Sequence, residues 1–461
     1  MERKPLIYKG AEIMMFKPSK FNYITYNDNS ELLMYNAAIG SSSFCKVLKE
    51  QTPEIRGLLS EKIITITDEN KNTVQKLMEK GMIVSEERDE DVFCYSSYLK
   101  AVNNNYLHLT INPTDKCNFK CIYCYENNKN GNMSEETQSD IISFVRKEIH
   151  KYEGLRISWF GGEPLLQMEI IDRLSTEFIS ICSRLKRSYM ATITTNGYLL
   201  TKNVFERLLK LKVVHFQITM DGTKETHDRQ RPLLNGSGTF DKVFDNLQNI
   251  KNYCSHSLYN ISLRTNFTKS LFPYIDDYFK LLEDNFMDSN HFDVLIRIAG
   301  DWGGERVGLI KENLLDDKYY IRKIITLMQK YKLKFDLMKD MFNPGRNFCY
   351  AAQINSYSIN AKGEISKCTT DLDNNPFAKI GYISKKGMQI NRDQELKWLI
   401  KYSDTCSCFF KPVCMGIKCP KAVLTDKYIE NNSNACPFEK QYIDELFIMF
   451  DKTGLFLVID V

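Results

Sequence analysis

From about residue 105 to residue 299, β-prone runs alternate with amphipathic stretches of helical length. The order is YLHLTIN, a helix over 134 to 150, RISWF, 165 to 185, ATITTN, 201 to 210, VVHFQITM, 240 to 252, ISLRTNF, 272 to 284 and FDVLIRIA. Strands separated by whole helices cannot be joined by tight turns, so they pair in parallel through right-handed crossovers. Six such strands predict an α/β unit whose chemistry gathers where the strands end. After one more helix, at about 317 to 331, the alternation stops.

The first of these strands runs into TDKCNFKCIYCY, Thr114 to Tyr125, where Cys117, Cys121 and Cys124 stand as C-x3-C-x2-C. Thiols this close on one loop bridge one another poorly, and the opening MERKPLIYKGAEIMMF lacks the apolar core of a secretory signal. A metal site in a reducing, cytoplasmic setting is therefore expected. A [4Fe-4S] cluster usually takes four cysteines, so three leave one iron open to an exogenous ligand. Zinc held by three cysteines and a histidine is the competing reading, but no histidine stands nearby.

Charge excludes some partners. The 62 basic side chains are matched by 58 acidic ones, which gives no basic surface by count, so no nucleic acid is expected. No apolar run is long enough to span a bilayer, and no membrane partner is expected either.

C-x3-C-x2-C followed by Gly161-Gly162-Glu163-Pro164 resembles the radical SAM superfamily. The resemblance implies a partial (β/α)6 barrel open at one side. It also implies a [4Fe-4S] cluster on Cys117, Cys121 and Cys124, with S-adenosylmethionine (SAM) chelating the free iron. Gly161, Gly162 and Pro164, with Glu163 nearby, would then hold the SAM amino group. Tyr123 matches the position that packs on adenine, although ordinary loop packing also accounts for it.

Other candidates lie at the ends of later strands. Thr194, Thr195 and Asn196 form a run of small polar groups suited to ribose hydroxyls, or simply a polar turn. In QITMDG, Gln217 and Asp221 point into the lumen, unless Asp221 only bonds its own backbone in an Asp-Gly turn. Arg264 and Asn266 share a face of the fifth strand. The Arg264 guanidinium needs an anion there, either the SAM carboxylate or a salt bridge to Glu163 or Asp221.

Residues 1–100 read as a unit of their own, ahead of a barrel at 101–335, a cysteine-rich region at 336–440 and a C-terminal segment at 441–461. FNYITY and ELLMY, joined by Asn27-Asp28-Asn29-Ser30, predict a hairpin, followed by helices at about 40 to 50 and 69 to 80 and a strand, MIVSE. This order looks like a winged-helix module. It resembles the leader-recognition domain in front of many radical SAM peptide-modifying enzymes, where a precursor adds a strand to a sheet edge. A structural cap on the barrel is the plainer alternative.

Seven of the fourteen cysteines fall between Cys349 and Cys436. Cys45, Cys94, Cys182 and Cys254 are scattered singly and are expected to be buried structural thiols. Cys349, Gly363 and Cys368 stand as C-x13-G-x4-C, which resembles the SPASM extension of the superfamily and implies two auxiliary iron-sulfur clusters, three [4Fe-4S] clusters in all. Carried over, Cys349, Cys368 and Cys419 would hold one cluster, with an open iron, a fourth ligand from a distant residue or a smaller cluster as the alternatives, and Cys406, Cys408, Cys414 and Cys436 the other. The later spacing, C-x1-C-x5-C-x4-C, departs from the family's usual C-x2-C-x5-C-x3-C, and zinc accepts the same thiolates.

Together the resemblances imply an oxidoreductase that makes a 5′-deoxyadenosyl radical and matures a ribosomal precursor peptide by forming a thioether or carbon–carbon crosslink. Flavodoxin or ferredoxin would serve as electron donor. Two alternatives stand beside this reading. One is an anaerobic sulfatase-maturase-like enzyme oxidising Cys or Ser to formylglycine, although Thr369 occupies the position after Cys368 where that subfamily carries an aspartate. The other is a non-enzymatic iron-sulfur or zinc protein.

Overall fold

The computed structural model describes residues 15–126, 131–254, 258–300, 306, 310–315, 318–370, 378–399, 406–416, 419–424 and 436–459. Strands β1 (Phe16–Pro18), β2 (Asn22–Tyr26), β3 (Leu32–Asn36), β4 (Cys45–Val47) and β5 (Ile83–Ser85) build the N-terminal unit. The predicted hairpin is β2 and β3, antiparallel with Tyr26 opposite Leu32.

The helix expected at about 40 to 50 is not there. Cys45 and Val47 point into the core while Lys46 faces outward, so this stretch has the two-residue period of a strand, β4, and pairs with β3. The helix begins later, at Thr52–Ser60, where Pro53 sits in the first turn. A second helix, Lys71–Glu79, precedes β5, and a third, Glu90–Val102, was not anticipated. Asp89 caps that third helix by accepting from the backbone N–H groups of Asp91 and Val92.

The alternating region folds as six parallel strands in chain order: β6 (Tyr106–Ile111), β7 (Gly154–Trp159), β8 (Ser188–Thr195), β9 (Val213–Thr219), β10 (Asn260–Phe267) and β11 (Phe292–Ile298). Leu107, Leu109 and Ile111 of β6 are buried beneath the surrounding helices, as are Ile157 of β7 and Ile193 of β8. The helix Glu135–Glu148, opened by Ser134 accepting from the Thr137 N–H at 3.1 Å, belongs to that layer. The opposite face of the strands carries His108, Ser158, Thr192, Thr194, Gln217 and Arg264, all half-buried. The barrel does not close, because β6 pairs with β12 (Ser356–Ile359) and not with β11.

From β12 the sheet continues antiparallel through β13 (Glu364–Ser366), β14 (Lys379–Ser384) and β15 (Gly387–Ile390), so barrel and cysteine-rich region share ten strands. The C-terminal segment returns to the N-terminal unit. Its helix Ile443–Lys452 brings Phe447 and Phe450 against Phe44, and β16 (Leu457–Val458) pairs in parallel with β4. Cys45, Cys94 and Cys182 are buried thiols as expected, whereas Cys254 is half-exposed. Among the described residues no helix is long and apolar enough to cross a membrane.

Candidate active site

The loop carrying Cys117, Cys121 and Cys124 is clamped from two sides. On one side Gly162 N donates to Thr114 O at 3.3 Å and Glu163 N to Lys116 O at 2.9 Å. A Cβ on Gly161, whose φ is +109°, would fall 2.4 Å from Thr114 O, and one on Gly162 would fall 2.4 Å from Lys116 O. Only glycines let these two backbones meet. On the other side the loop pairs with residues 230–234: Lys120 N donates to Pro232 O at 2.8 Å, Ile122 N to Gln230 O at 3.0 Å, and Leu234 N to Asn118 O at 3.0 Å.

Glu163 is fully buried, and its carboxylate is engaged by the chain. It accepts from Thr195 Oγ1 at 2.6 Å, Asn196 N at 2.7 Å and Leu165 N at 3.1 Å, the last of which starts the turn at Pro164. Burial raises its pKa, opposed by these three donors. Thr194 lies beside Gln217 in the parallel register of β8 and β9.

Tyr123 sits at the centre of a second network. Its hydroxyl donates to Asp221 Oδ2 and accepts from Arg231 Nη1 at 2.5 Å and Asn266 Nδ2 at 3.2 Å. Asp221 Oδ1 accepts from Asn266 N at 2.8 Å. The Asp221 carboxylate therefore joins the ends of β9 and β10 to the cysteine loop instead of closing its own turn. Arg231, which the sequence reading missed, is its buried counter-ion at 3.8 Å. The salt bridge offered for Arg264 is not formed: its Nε donates to Asn266 Oδ1 at 3.0 Å, and no ion pair to Glu163 or Asp221 is present.

Burial pushes the Cys117 thiol up to about 12 and Cys124 to about 11, while the Arg231 and Arg306 charges oppose the rise at Cys121. Metal capture would deprotonate these thiols and release protons. Among the described residues no three His, Cys, Asp or Glu side chains converge on a single-ion site. A four-iron cluster gives each cysteine its own iron and needs no such convergence. Around the loop, Asn112 Oδ1, Glu126 Oε1, Gln230 Nε2, Arg231 Nε and Arg306 Nη1 are buried without hydrogen-bond partners among the described residues. Such atoms are costly unless a polar ligand meets them, so the residues present fit a cluster with a polar, zwitterionic guest.

The downstream cysteines gather in two sets. Cys349 lies within electrostatic reach of Cys368 and Cys419, and Cys414 within reach of Cys406, Cys408 and Cys436. Lys440 Nζ donates to Cys436 Sγ at 3.4 Å, and Phe410 N to Cys408 Sγ at 3.3 Å. Thr369 bonds Tyr350; Asp371, two residues further on, lies outside the described residues.

Residues 111–273 match the radical SAM superfamily. An uncharacterised protein of Methanocaldococcus jannaschii, MJ0907, is 26% identical over 57% of this chain and 85% of its own length. The radical SAM cyclopropyl synthase TigE of Paramaledivibacter caminithermalis is 25% identical over 52% of this chain and only 55% of its own length. Among solved structures, native anSMEcpe with bound AdoMet and the Cp18Cys peptide has a TM-score of 0.56 at 18% identity, covering 76% of this chain and 97% of that one. At that identity the likeness is one of fold.

Proposed function

We propose, on the premise that residues 111–273 are a radical SAM domain, that this chain is a peptide-modifying radical SAM enzyme whose product is an intramolecular thioether or carbon–carbon crosslink. The observation that carries this reading is the gathering of the seven downstream cysteines into two sets beside the open barrel. Closing such a crosslink is a net two-electron oxidation, and further iron-sulfur centres beside the barrel would accept the second electron.

In this reading Cys117, Cys121 and Cys124 hold the first cluster. When bound, that cluster supplies an electron to the SAM sulfonium, whose cleavage gives methionine and a 5′-deoxyadenosyl radical. The chain's own residues bind and orient. Gly161 and Gly162 expose backbone at the cluster loop, and Thr194, Asn196 and Gln217 offer polar groups from neighbouring strand ends. Arg264, half-buried and in no ion pair among the described residues, is placed to meet a carboxylate. Tyr123, Asp221, Arg231 and Asn266 fix the loop so that a guest meets a preorganised site. The N-terminal unit would receive the precursor as an added strand. The protein whose fold this chain shares holds a peptide together with AdoMet, which supports a peptide substrate.

The test is anaerobic co-expression with each short reading frame that neighbours the gene, followed by mass spectrometry. Loss of two hydrogen atoms from one such peptide, dependent on Cys121, is the expected result. Conversion of a Cys or Ser to formylglycine would replace this reading with the maturase-like one.

A further inference from the structure

Lys367 is a fully buried lysine next to Cys368 in the chain. Its Nζ donates to Gln353 O, the carbonyl that follows the turn Tyr350–Ala352 begun by Cys349, and it stands 4.8 Å from the centre of the Tyr357 ring. No carboxylate lies within 4 Å of it among the described residues. Glu395, whose Oε1 accepts from Tyr357 Oη at 2.9 Å, and the Cys349 sulfur are within its electrostatic reach. A buried ammonium without an ion pair is costly, so an anion is owed at this place.

The same region is stitched together at three further points. Tyr350, directly after Cys349, accepts from Thr369 N at 3.0 Å and meets Thr369 Oγ1 at 2.9 Å. Cys368 Sγ lies 3.2 Å from Thr370 Oγ1. Lys421, two residues after Cys419, donates to Thr370 O at 2.6 Å. All three cysteines of the set are thus held through their neighbours. A cluster on three thiolates is the anion that this geometry provides for.

We propose that Lys367 is a positioning residue that raises the reduction potential of an iron-sulfur cluster held by Cys349, Cys368 and Cys419. The inference rests on the auxiliary-cluster reading above. A fixed cation in a low-dielectric interior stabilises the reduced, more negative form of the cluster over the oxidised form. Glu395, behind Tyr357, acts in the opposite sense, offset by Arg392, whose Nη1 pairs with it at 2.5 Å.

The test uses the full chain, reconstituted anaerobically, carrying Cys117→Ala, Cys121→Ala and Cys124→Ala so that only downstream clusters load. Potentials are read by redox titration with electron paramagnetic resonance. Lys367→Gln should shift the reduction equilibrium of one cluster about tenfold toward the oxidised form, about 59 mV for a one-electron couple. Lys367→Arg should restore the parent value, and Glu395→Gln should move the same cluster the other way. Unchanged potentials in loaded Lys367→Gln, or an equal fall in Lys367→Arg, would overturn the proposal. If Lys367→Gln loads no iron, Lys367→Met read in the same way decides: a fall in potential supports the proposal, an unchanged potential overturns it. Parent protein that takes up no iron would overturn the auxiliary-cluster reading itself and the inference with it, a failure recognisable from the iron assay alone.

Discussion

The Glu163 carboxylate accepts a hydrogen bond from the backbone N–H of Asn196 at 2.7 Å, which fastens the residue after the paired glycines to the residue after β8. The glycine motif and the Thr194–Asn196 run, separate in sequence, are therefore one mechanical unit. Its third part is the cysteine loop, through the bond from Glu163 N to Lys116 O.

Glu163→Gln should lower stability by about 2 kcal/mol. An amide offers one acceptor oxygen where the carboxylate offers two, so its NH2 must face a donor that was satisfied before. The apo chain should unfold at lower denaturant concentration in a urea titration, and iron uptake should fall with it. Equal stability would mean that the three hydrogen bonds are not holding the unit.

Removing Arg231 should cost more. Arg231→Met leaves the Asp221 carboxylate buried without its cation and removes a donor to Tyr123, a loss of about 3 kcal/mol. Arg231→Met combined with Asp221→Asn should recover part of that loss, as a double-mutant cycle in urea would show. Additive losses would mean that the pair is not coupled.

His108 predicts a pH dependence. It lies within a chain of contacts to Ser158 at 2.9 Å and Ser356 at 3.2 Å, and burial, with the charges of Arg156 and Lys367, holds its pKa down to about 4 from 6.5. A histidine whose folded pKa is depressed binds its proton more readily unfolded. Its contribution is therefore intact above about pH 6.5 and is lost as pH falls toward 4, worth about 3 kcal/mol at most. Apo protein titrated with urea between those pH values should show this slope, and His108→Gln should flatten it.

Much of this was legible in the sequence because strand and helix periods differ so sharply. All six barrel strands fall where the β-prone runs predicted them. The misplaced helix at about 40 to 50 shows the limit: three residues of strand give little period to read, and the pairing of β4 with β3 decides the outcome. The helix Glu90–Val102 escaped notice because Val92, Tyr95 and Leu99 are exposed, so its apolar residues do not mark a buried stripe. Arg231 was illegible for another reason. It reaches Tyr123 only because residues 230–234 pair with the cysteine loop, a contact across more than a hundred residues that no local pattern announces. The same holds for β12 joining β6 and for β16 joining β4.

In the proposed function, three sulfurs on one clamped loop hold a cluster with a place for SAM. The most direct measurement is release of 5′-deoxyadenosine from SAM by anaerobically reconstituted protein with dithionite. The wild-type chain should release it, and Cys121→Ala should not, while Cys368→Ala should keep part of the release. No 5′-deoxyadenosine from iron-loaded wild-type protein, or equal release from Cys121→Ala, would contradict the account.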